Sequence, residues 1–180
     1  LKKNFYGSTA IVSNSIPIGV GIGYSMKINN IKNLVCIYIG DASVEEGVFF
    51  EAMNFCVIKK LPIVFICENN FYSVYSGLEV RQPQGRKIHE MVNAMGIETS
   101  FGNGNNVEEI AEKVKTSKDN ILKGNGPQFL EFETYRWREH CGPNYDNDIG
   151  YRTEEEFLEW QKRDPIKNIL KKLSWRYKKS

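Results

Sequence analysis

The residues best suited to chemistry in this sequence are an aspartate and a pair of asparagines, each set after a short apolar run. Asp41 follows LVCIYIG, and Asn69 and Asn70 follow IVFICE. A carboxylate and a carboxamide oxygen are hard donors of the kind that magnesium or calcium takes. Between them, Gly40 to Asn70 reads GDASVEEGVFFEAMNFCVIKKLPIVFICENN. Ser43 and Glu46 have the spacing of a capping box, so a helix is expected to start at about Ser43. Phe49, Ala52, Met53 and Cys56 then fall at i, i+3, i+4 and i+7 on one face, and Pro62 ends the helix. A helix start beside hard oxygen donors favours an anion such as phosphate. The chemistry that results is a divalent ion clamped between protein oxygens and a diphosphate. Spacing alone leaves a plainer reading open, in which Asp41 only begins a helix and Asn69 and Asn70 only form a turn.

Positioning these residues takes a strand, a helix and a second strand. A right-handed crossover places Asp41 and Asn70 at the same edge of a parallel sheet, the edge where ligands bind in such folds. The alternation continues: a short helix over Gly85 to Met95, a strand over Gly96 to Phe101, a helix capped by Asn106 with Glu109, and a strand over Pro127 to Thr134. This order implies an α/β class, a doubly wound parallel sheet with helices on both faces. Upstream, NFYGSTAIVS reads as a loop entering a buried helix at about Pro17, with Gly19, Gly21 and Gly23 inside it. Helical glycines cost about 1 kcal/mol each relative to alanine, so another backbone or a ligand should approach them closely. A glycine-rich loop or strand is the alternative. FYSVYSGLEVRQPQGR, from Phe71 to Arg86, has no sustained period and reads as a loop, and His89 reads as an ordinary helix histidine.

A second informative stretch, TYRWREHCGPNYDNDIGYR, leaves the Pro127 to Thr134 strand at the same carboxyl edge. It brings Arg136, Arg138 and His140 toward the proposed diphosphate, and its Gly, Pro, Asn and Asp content suggests a segment that stays mobile until an anion orders it. A solvated loop is the competing reading. His140 and Cys141 are sequence neighbours, which rarely face one another, so a cysteine-protease pair is set aside. Two further helices are expected, one started by Thr153 with Glu156, the other by Asp164 and Pro165.

Composition limits the other options. The chain has 180 residues, enough for one core, and is expected to be a single domain over 1–180. It begins at Leu1, from which an upstream segment is expected. Lys plus Arg number 24 against 22 Asp plus Glu, so a net charge of +2 gives no reason to invoke nucleic acid or a membrane surface. Cys36, Cys56, Cys67 and Cys141 have no CxxC spacing, and the first three lie in apolar patterns, as buried free thiols would. A reducing, cytoplasmic setting follows, with an upstream targeting segment left open.

The GDx, spacer and NN arrangement, with EG..FEAMN and KKLPIVFICENNFYS around it, resembles the cofactor motif of thiamine diphosphate enzymes, although Ala42 stands where glycine is usual. From Asn4 to Pro165 the chain is similar to the α subunit of the decarboxylating component of 2-oxoacid dehydrogenase complexes, the pyruvate type most closely. The resemblance implies thiamine diphosphate and Mg2+ as cofactors. The metal ligands would be Asp41, Asn70 and the main-chain carbonyl of Tyr72. Gly40, Ala42 and Ser43 would line the diphosphate with main-chain groups, and Ala10 and Val12 would meet the aminopyrimidine. His140 falls on the family's phosphate-contacting histidine and is the one residue expected to take a catalytic part. Arg138 replaces a second histidine, and Cys141 stands where some relatives carry a phosphorylated serine. The glutamate that activates the cofactor belongs to a separate β subunit in an α2β2 assembly, and the acyl group passes to a lipoyl acyltransferase. Alternatives are an acetoin-type or transketolase-like enzyme with the same cofactor site, or a non-catalytic cofactor-binding or assembly fragment.

Overall fold

A computed structural model describes residues 4–177 and, for side chains, residues up to 174; the ends of the expected 1–180 domain lie outside the described residues. In chain order the elements are α1 (Ser15–Ile28), β1 (Val35–Gly40), a 3-10 turn (Asp41–Glu45), α2 (Gly47–Lys59), β2 (Ile63–Asn69), a two-residue-per-arm hairpin β3 (Tyr72–Ser73) and β4 (Ser76–Gly77), α3 (Leu78–Arg81), α4 (Ile88–Ala94), β5 (Glu98–Asn103), α5 (Val107–Leu122), β6 (Gln128–Glu133), α6 (Glu154–Gln161) and α7 (Pro165–Tyr177).

The main sheet is parallel with order β1-β2-β6-β5. The chain steps from β1 to β2, jumps past one position to β5, and returns to β6 between them. Because the direction reverses after β5, right-handed crossovers require α5 to lie on the face opposite α2 and α4. The packing agrees. Residues of α1, α2 and α4, among them Ile16, Phe49, Met53 and Val92, pack with Ile37, Ile63, Phe65 and Phe129 on one face. Ile121 of α5, with Ile110 and Val114, packs with Val64, Ile66, Leu130 and Phe132 on the other. The doubly wound sheet with helices on both faces is therefore present. β2 is central, and its continuous run IVFIC is buried throughout, as a strand covered on both sides must be.

β1 is an edge strand and alternates instead: Ile37 and Ile39 point into the core, while Tyr38 is 61% exposed. Cys36 shares that outer face and is exposed, which corrects the expectation that it is buried; Cys56 and Cys67 are buried, and all four thiols are free. Glycines 19 and 23 do mark a close approach, but to strand side chains, not to a ligand. A Cβ on Gly19 would lie 2.5 Å from Ile37 Cδ1 and one on Gly23 2.8 Å from Ile63 Cδ1, while Gly21 faces open space. The helix is also only half buried, with Ile18 and Ile28 exposed.

Two other stretches differ from expectation. Phe71 to Arg86, expected as a loop, carries the β3–β4 hairpin and α3. Asp41 to Glu45 form the 3-10 turn and α2 begins only at Gly47, with no side-chain cap, so Ser43 and Glu46 do not make a capping box. The Ser43 carbonyl instead accepts a hydrogen bond from Ser13 Oγ at 2.8 Å, and that contact fixes the turn to the segment before α1. The expected caps at Asn106 and Thr153 are formed, each side chain accepting from the backbone N–H three residues on.

Candidate functional site

The strand register aligns the carboxyl ends. Gly40 pairs with Glu68, while Asn69 and Asn103 both pair with Glu133, so β1, β2, β6 and β5 finish on one line. Asp41 follows β1 directly and is 1% exposed. The backbone N–H groups of Asp41 itself and of Asn70 act on its carboxylate, which relates the two candidate ligands. Burial pushes the Asp41 carboxyl above its usual range, against the pull of Arg81 and those two N–H groups. A carboxylate held in so dry a place calls for a cation.

Here that cation is Arg81, at the end of α3. Its guanidinium pairs with Asp41 through Nη2 and with Glu45 through Nη1, while Nε donates to the Ser76 carbonyl at 3.0 Å. Gln82 Nε2 also donates to Glu45, at 3.0 Å. One turn of chain thus ties the β3–β4 hairpin and α3 down onto the 3-10 turn.

The asparagines shape the corner between β2 and the hairpin. Asn69 Oδ1 accepts from Phe71 N at 3.1 Å and Asn70 Oδ1 from Tyr72 N at 3.0 Å. These Asx turns hold Phe71 at φ 68°, a left-handed conformation that few aromatic residues adopt. Tyr72 turns its side chain the other way, donating to Glu156 Oε2 of α6 at 2.8 Å. Burial, then the Glu156 carboxylate, raise the Tyr72 phenol. A buried carboxylate beside a carboxamide is a donor chemistry that suits a hard divalent ion.

The remaining expected residues are less tightly gathered. Gly40 and Ala42 flank Asp41, and Ser43 is buried in the same turn. Ala10 and Val12 are exposed in a segment linked to that turn by the Ser13 to Ser43 hydrogen bond. His140 is exposed and, among the described residues, has no hydrogen bond or ion pair. Its loop is not loose. Asp146 pairs with the fully buried Arg152 and accepts from the Tyr151 hydroxyl, and Arg152 Nη1 donates to the Arg136 carbonyl at 2.7 Å. Arg136 donates to the Val74 carbonyl and the Tyr151 hydroxyl, both at 2.9 Å, and Arg138 lies over the Tyr145 ring at 3.8 Å. Arg136 is therefore engaged by Val74 of the hairpin turn and by Tyr151, and Arg138 by Pro143 and Tyr145. Tyr135, Phe157 and Trp160 form a small core beneath it.

A network that sequence reading missed lies beside Asn69. Glu131 of β6 is buried, accepts from Asn69 Nδ2 at 2.7 Å, and accepts from both the backbone N and Nδ1 of His89, at 2.9 and 2.7 Å. His89 stacks on Phe101 and, with Gln82, Arg86 and Glu133, lines a cavity of about 500 Å3. His89 is thus a structural tie from α4 to the corner at Asn69. A glutamate inside an apolar strand run was the available signal.

A family model for the dehydrogenase E1 component matches residues 1–176. The chain belongs to that family. It is 34% identical over 169 residues to the pyruvate dehydrogenase E1 component subunit alpha of Rickettsia bellii, covering 94% of this chain and 51% of the relative. It is 37% identical over 172 residues to the mitochondrial counterpart of Dictyostelium discoideum, covering 93% and 43%. The chain spans about half the length of the curated relatives it matches. Among solved structures it is similar to an enzyme from Mycobacterium smegmatis described as thiamin diphosphate-dependent, with TM-score 0.51 and 25% identity over 67% of this chain and 22% of that one. Transketolase from Campylobacter jejuni shares the fold, with TM-score 0.56 and 18% identity over 68% of this chain and 19% of that one. Among the described residues no helix is long and apolar enough to cross a membrane.

Proposed function

We propose that this chain is the α-subunit part of a 2-oxoacid dehydrogenase, acting on a small 2-oxo acid, pyruvate in the first instance, and that residues 1–180 form one cofactor-binding domain. The observation that carries the reading is the buried Asp41 carboxylate beside Asn70 in a member of the dehydrogenase E1 family. Asp41, the Asn70 carboxamide and the Tyr72 carbonyl would hold Mg2+. Main-chain groups of Gly40, Ala42 and Ser43 would line the diphosphate, Ala10 and Val12 the aminopyrimidine, and His140 would donate to a phosphate oxygen. Thiamine diphosphate, when bound, supplies the electron sink for loss of carbon dioxide from a 2-oxo acid. The part of this chain is to hold and orient it. The group that activates the cofactor is assigned to a β subunit in an α2β2 assembly, and the acyl acceptor to a lipoyl acyltransferase. The names of the Rickettsia and Dictyostelium relatives, each a subunit alpha, support a partner chain. The four free cysteines support a reducing compartment.

The test is calorimetric titration of thiamine diphosphate and Mg2+ into the full-length chain assembled with its β subunit. Asp41→Ala is expected to lose at least about a hundredfold in metal-dependent cofactor affinity, since even indirect support of a metal is worth roughly ten- to a hundredfold. His140→Ala should lose about ten- to a hundredfold, the equivalent of one charge-assisted hydrogen bond. Wild-type affinity in Asp41→Ala would refute the assignment.

A further inference from the structure

We infer that Arg81 is a built-in counter-cation which a divalent metal must displace from Asp41, with Glu45 holding the guanidinium afterwards. The inference rests on the reading of Asp41 as a metal ligand.

Asp41 and Glu45 lie at the two ends of one 3-10 turn, and the planar fork of Arg81 spans them, one nitrogen to each. The arrangement is internal: the Arg81 side chain is 10% exposed and the Asp41 side chain 2%. A carboxylate offers about four acceptor positions. At Asp41, the Arg81 Nη2 takes one of them, and the backbone N–H groups of residues 41 and 70 act on the same carboxylate. A hard dication bonds its oxygen at about 2.0 to 2.1 Å and seeks regular geometry. Arriving there, it would lie within contact range of a fixed positive charge and compete for the same oxygens. Retreat of the guanidinium relieves both conflicts. The retreat is short, because Arg81 keeps the Glu45 carboxylate and the Ser76 carbonyl at the far side of its fork. Glu45, with Gln82 Nε2 already directed at it, is on the exposed side of the turn, where a transferred guanidinium meets little desolvation.

The exchange has two consequences, and the first of them separates it from a merely structural ion pair. Removing Arg81 should tighten metal binding, because nothing has to leave. Removing the charge of Glu45 should weaken it, because Arg81 then has Asp41 as its sole carboxylate. An ion pair that only braces the hairpin predicts looser metal binding when Arg81 is removed, since the turn at Asp41 would relax.

The experiment titrates Mg2+ at fixed thiamine diphosphate into the full-length chain with its β subunit, by calorimetry, for wild type, Arg81→Gln, Glu45→Gln, and the charge controls Arg86→Gln and Glu46→Gln. Arg81→Gln should bind Mg2+ about tenfold tighter and Glu45→Gln about threefold weaker, sizes set by one charge-assisted pair near the surface. Each control should change less than about twofold, because screened charges without contact contribute little. Should Arg81→Gln fail to fold, Arg81→Met, which keeps the apolar stem and removes the charge, is titrated in its place with the same expectation. Unchanged or weaker binding in Arg81→Gln, or equal effects of Glu45→Gln and Glu46→Gln, would overturn the exchange while leaving Asp41 as ligand. Wild type without metal-dependent cofactor binding would overturn the metal reading itself, and the exchange with it.

Discussion

Asp146→Asn tests whether the loop bearing His140 is held by one buried ion pair. Asp146 and Arg152 have side chains 2% and 0% exposed, and Asp146 also receives the Tyr151 hydroxyl. The substitution keeps the shape and the hydroxyl contact but strands the guanidinium. Removing one partner of such a pair costs about 3 to 5 kcal/mol. Arg152 retains the Arg136 carbonyl and the faces of Tyr135 and Tyr151, so the lower end, about 3 kcal/mol, is expected. Urea unfolding followed by tryptophan fluorescence reports it well, because Trp137 and Trp160 pack in the small core beneath the loop. Hydrogen exchange over residues 136–152 should rise in parallel. Arg152→Met should be similarly harmful alone, yet the double variant should cost less than the sum by at least about 1.5 kcal/mol, since neither charge is then left unpaired. Additivity within about 0.5 kcal/mol, or a single-variant cost under about 1 kcal/mol, would show that the loop is fixed by its aromatic packing and that the ion pair is incidental.

The same carboxylate has a pH signature. Burial pushes Asp146 up, but the Tyr151 and Arg152 hydrogen bonds and the charges of Arg152 and Arg136 outweigh it, so its folded pKa lies below the ordinary value. A depressed carboxylate contributes stability that is complete above its unfolded pKa of about 3.9 and is lost as pH falls through the folded value. The stability gap between wild type and Asp146→Asn should therefore be flat above about pH 5 and shrink below about pH 4 in an acid titration series. In α1, Gly21→Ala should stabilise by about 0.5 to 1 kcal/mol, as it opens on free space, whereas Gly19→Val should destabilise by about 1 to 3 kcal/mol through the contact with Ile37, both read from denaturation midpoints. Equal effects at the two positions would contradict the packing of α1 on β1.

The fold was legible wherever apolar periodicity carried it. IVFIC reads as a strand because it is short, apolar and β-branched, and β2 is that strand. The amphipathic stripe of α5 and the caps at Asn106 and Thr153 are local, and local signals survive folding. The 3-10 turn was not legible, because Ser43 and Glu46 have the spacing of a capping box while the Ser43 carbonyl is held by Ser13, 30 residues earlier. Cys36 was misjudged for a related reason. An apolar strand sequence does not say whether the strand lies at the centre or the edge, and that depends on the order β1-β2-β6-β5, which is set by crossovers.

The candidate site divides along the same line, and the division bears on how it works. Asp41 and Asn70 could be found because each ends a strand. Glu131, 62 residues from Asn69, could not, because that partnership depends on β6 pairing with β2, and Arg81, 40 from Asp41, could not, because that one depends on how the chain turns after β2. That turn has left-handed Phe71 and Val74 where glycine or asparagine would have announced it. The asparagines before it supply the missing preference with their own side chains, accepting from the N–H two residues on. The plain reading of Asn69 and Asn70 as turn formers and the reading of Asn70 as a ligand are therefore compatible. A carboxamide oxygen has two lone pairs, and the Tyr72 N–H uses one. The Asx turn fixes the direction of the other, and the N–H of Asn70 itself is anchored on Asp41. Turn and ligand functions then share one residue, so Asn70→Asp, which keeps an oxygen for each, should retain metal-dependent cofactor binding in the calorimetric titration, whereas Asn70→Ala, which removes both, should lose it.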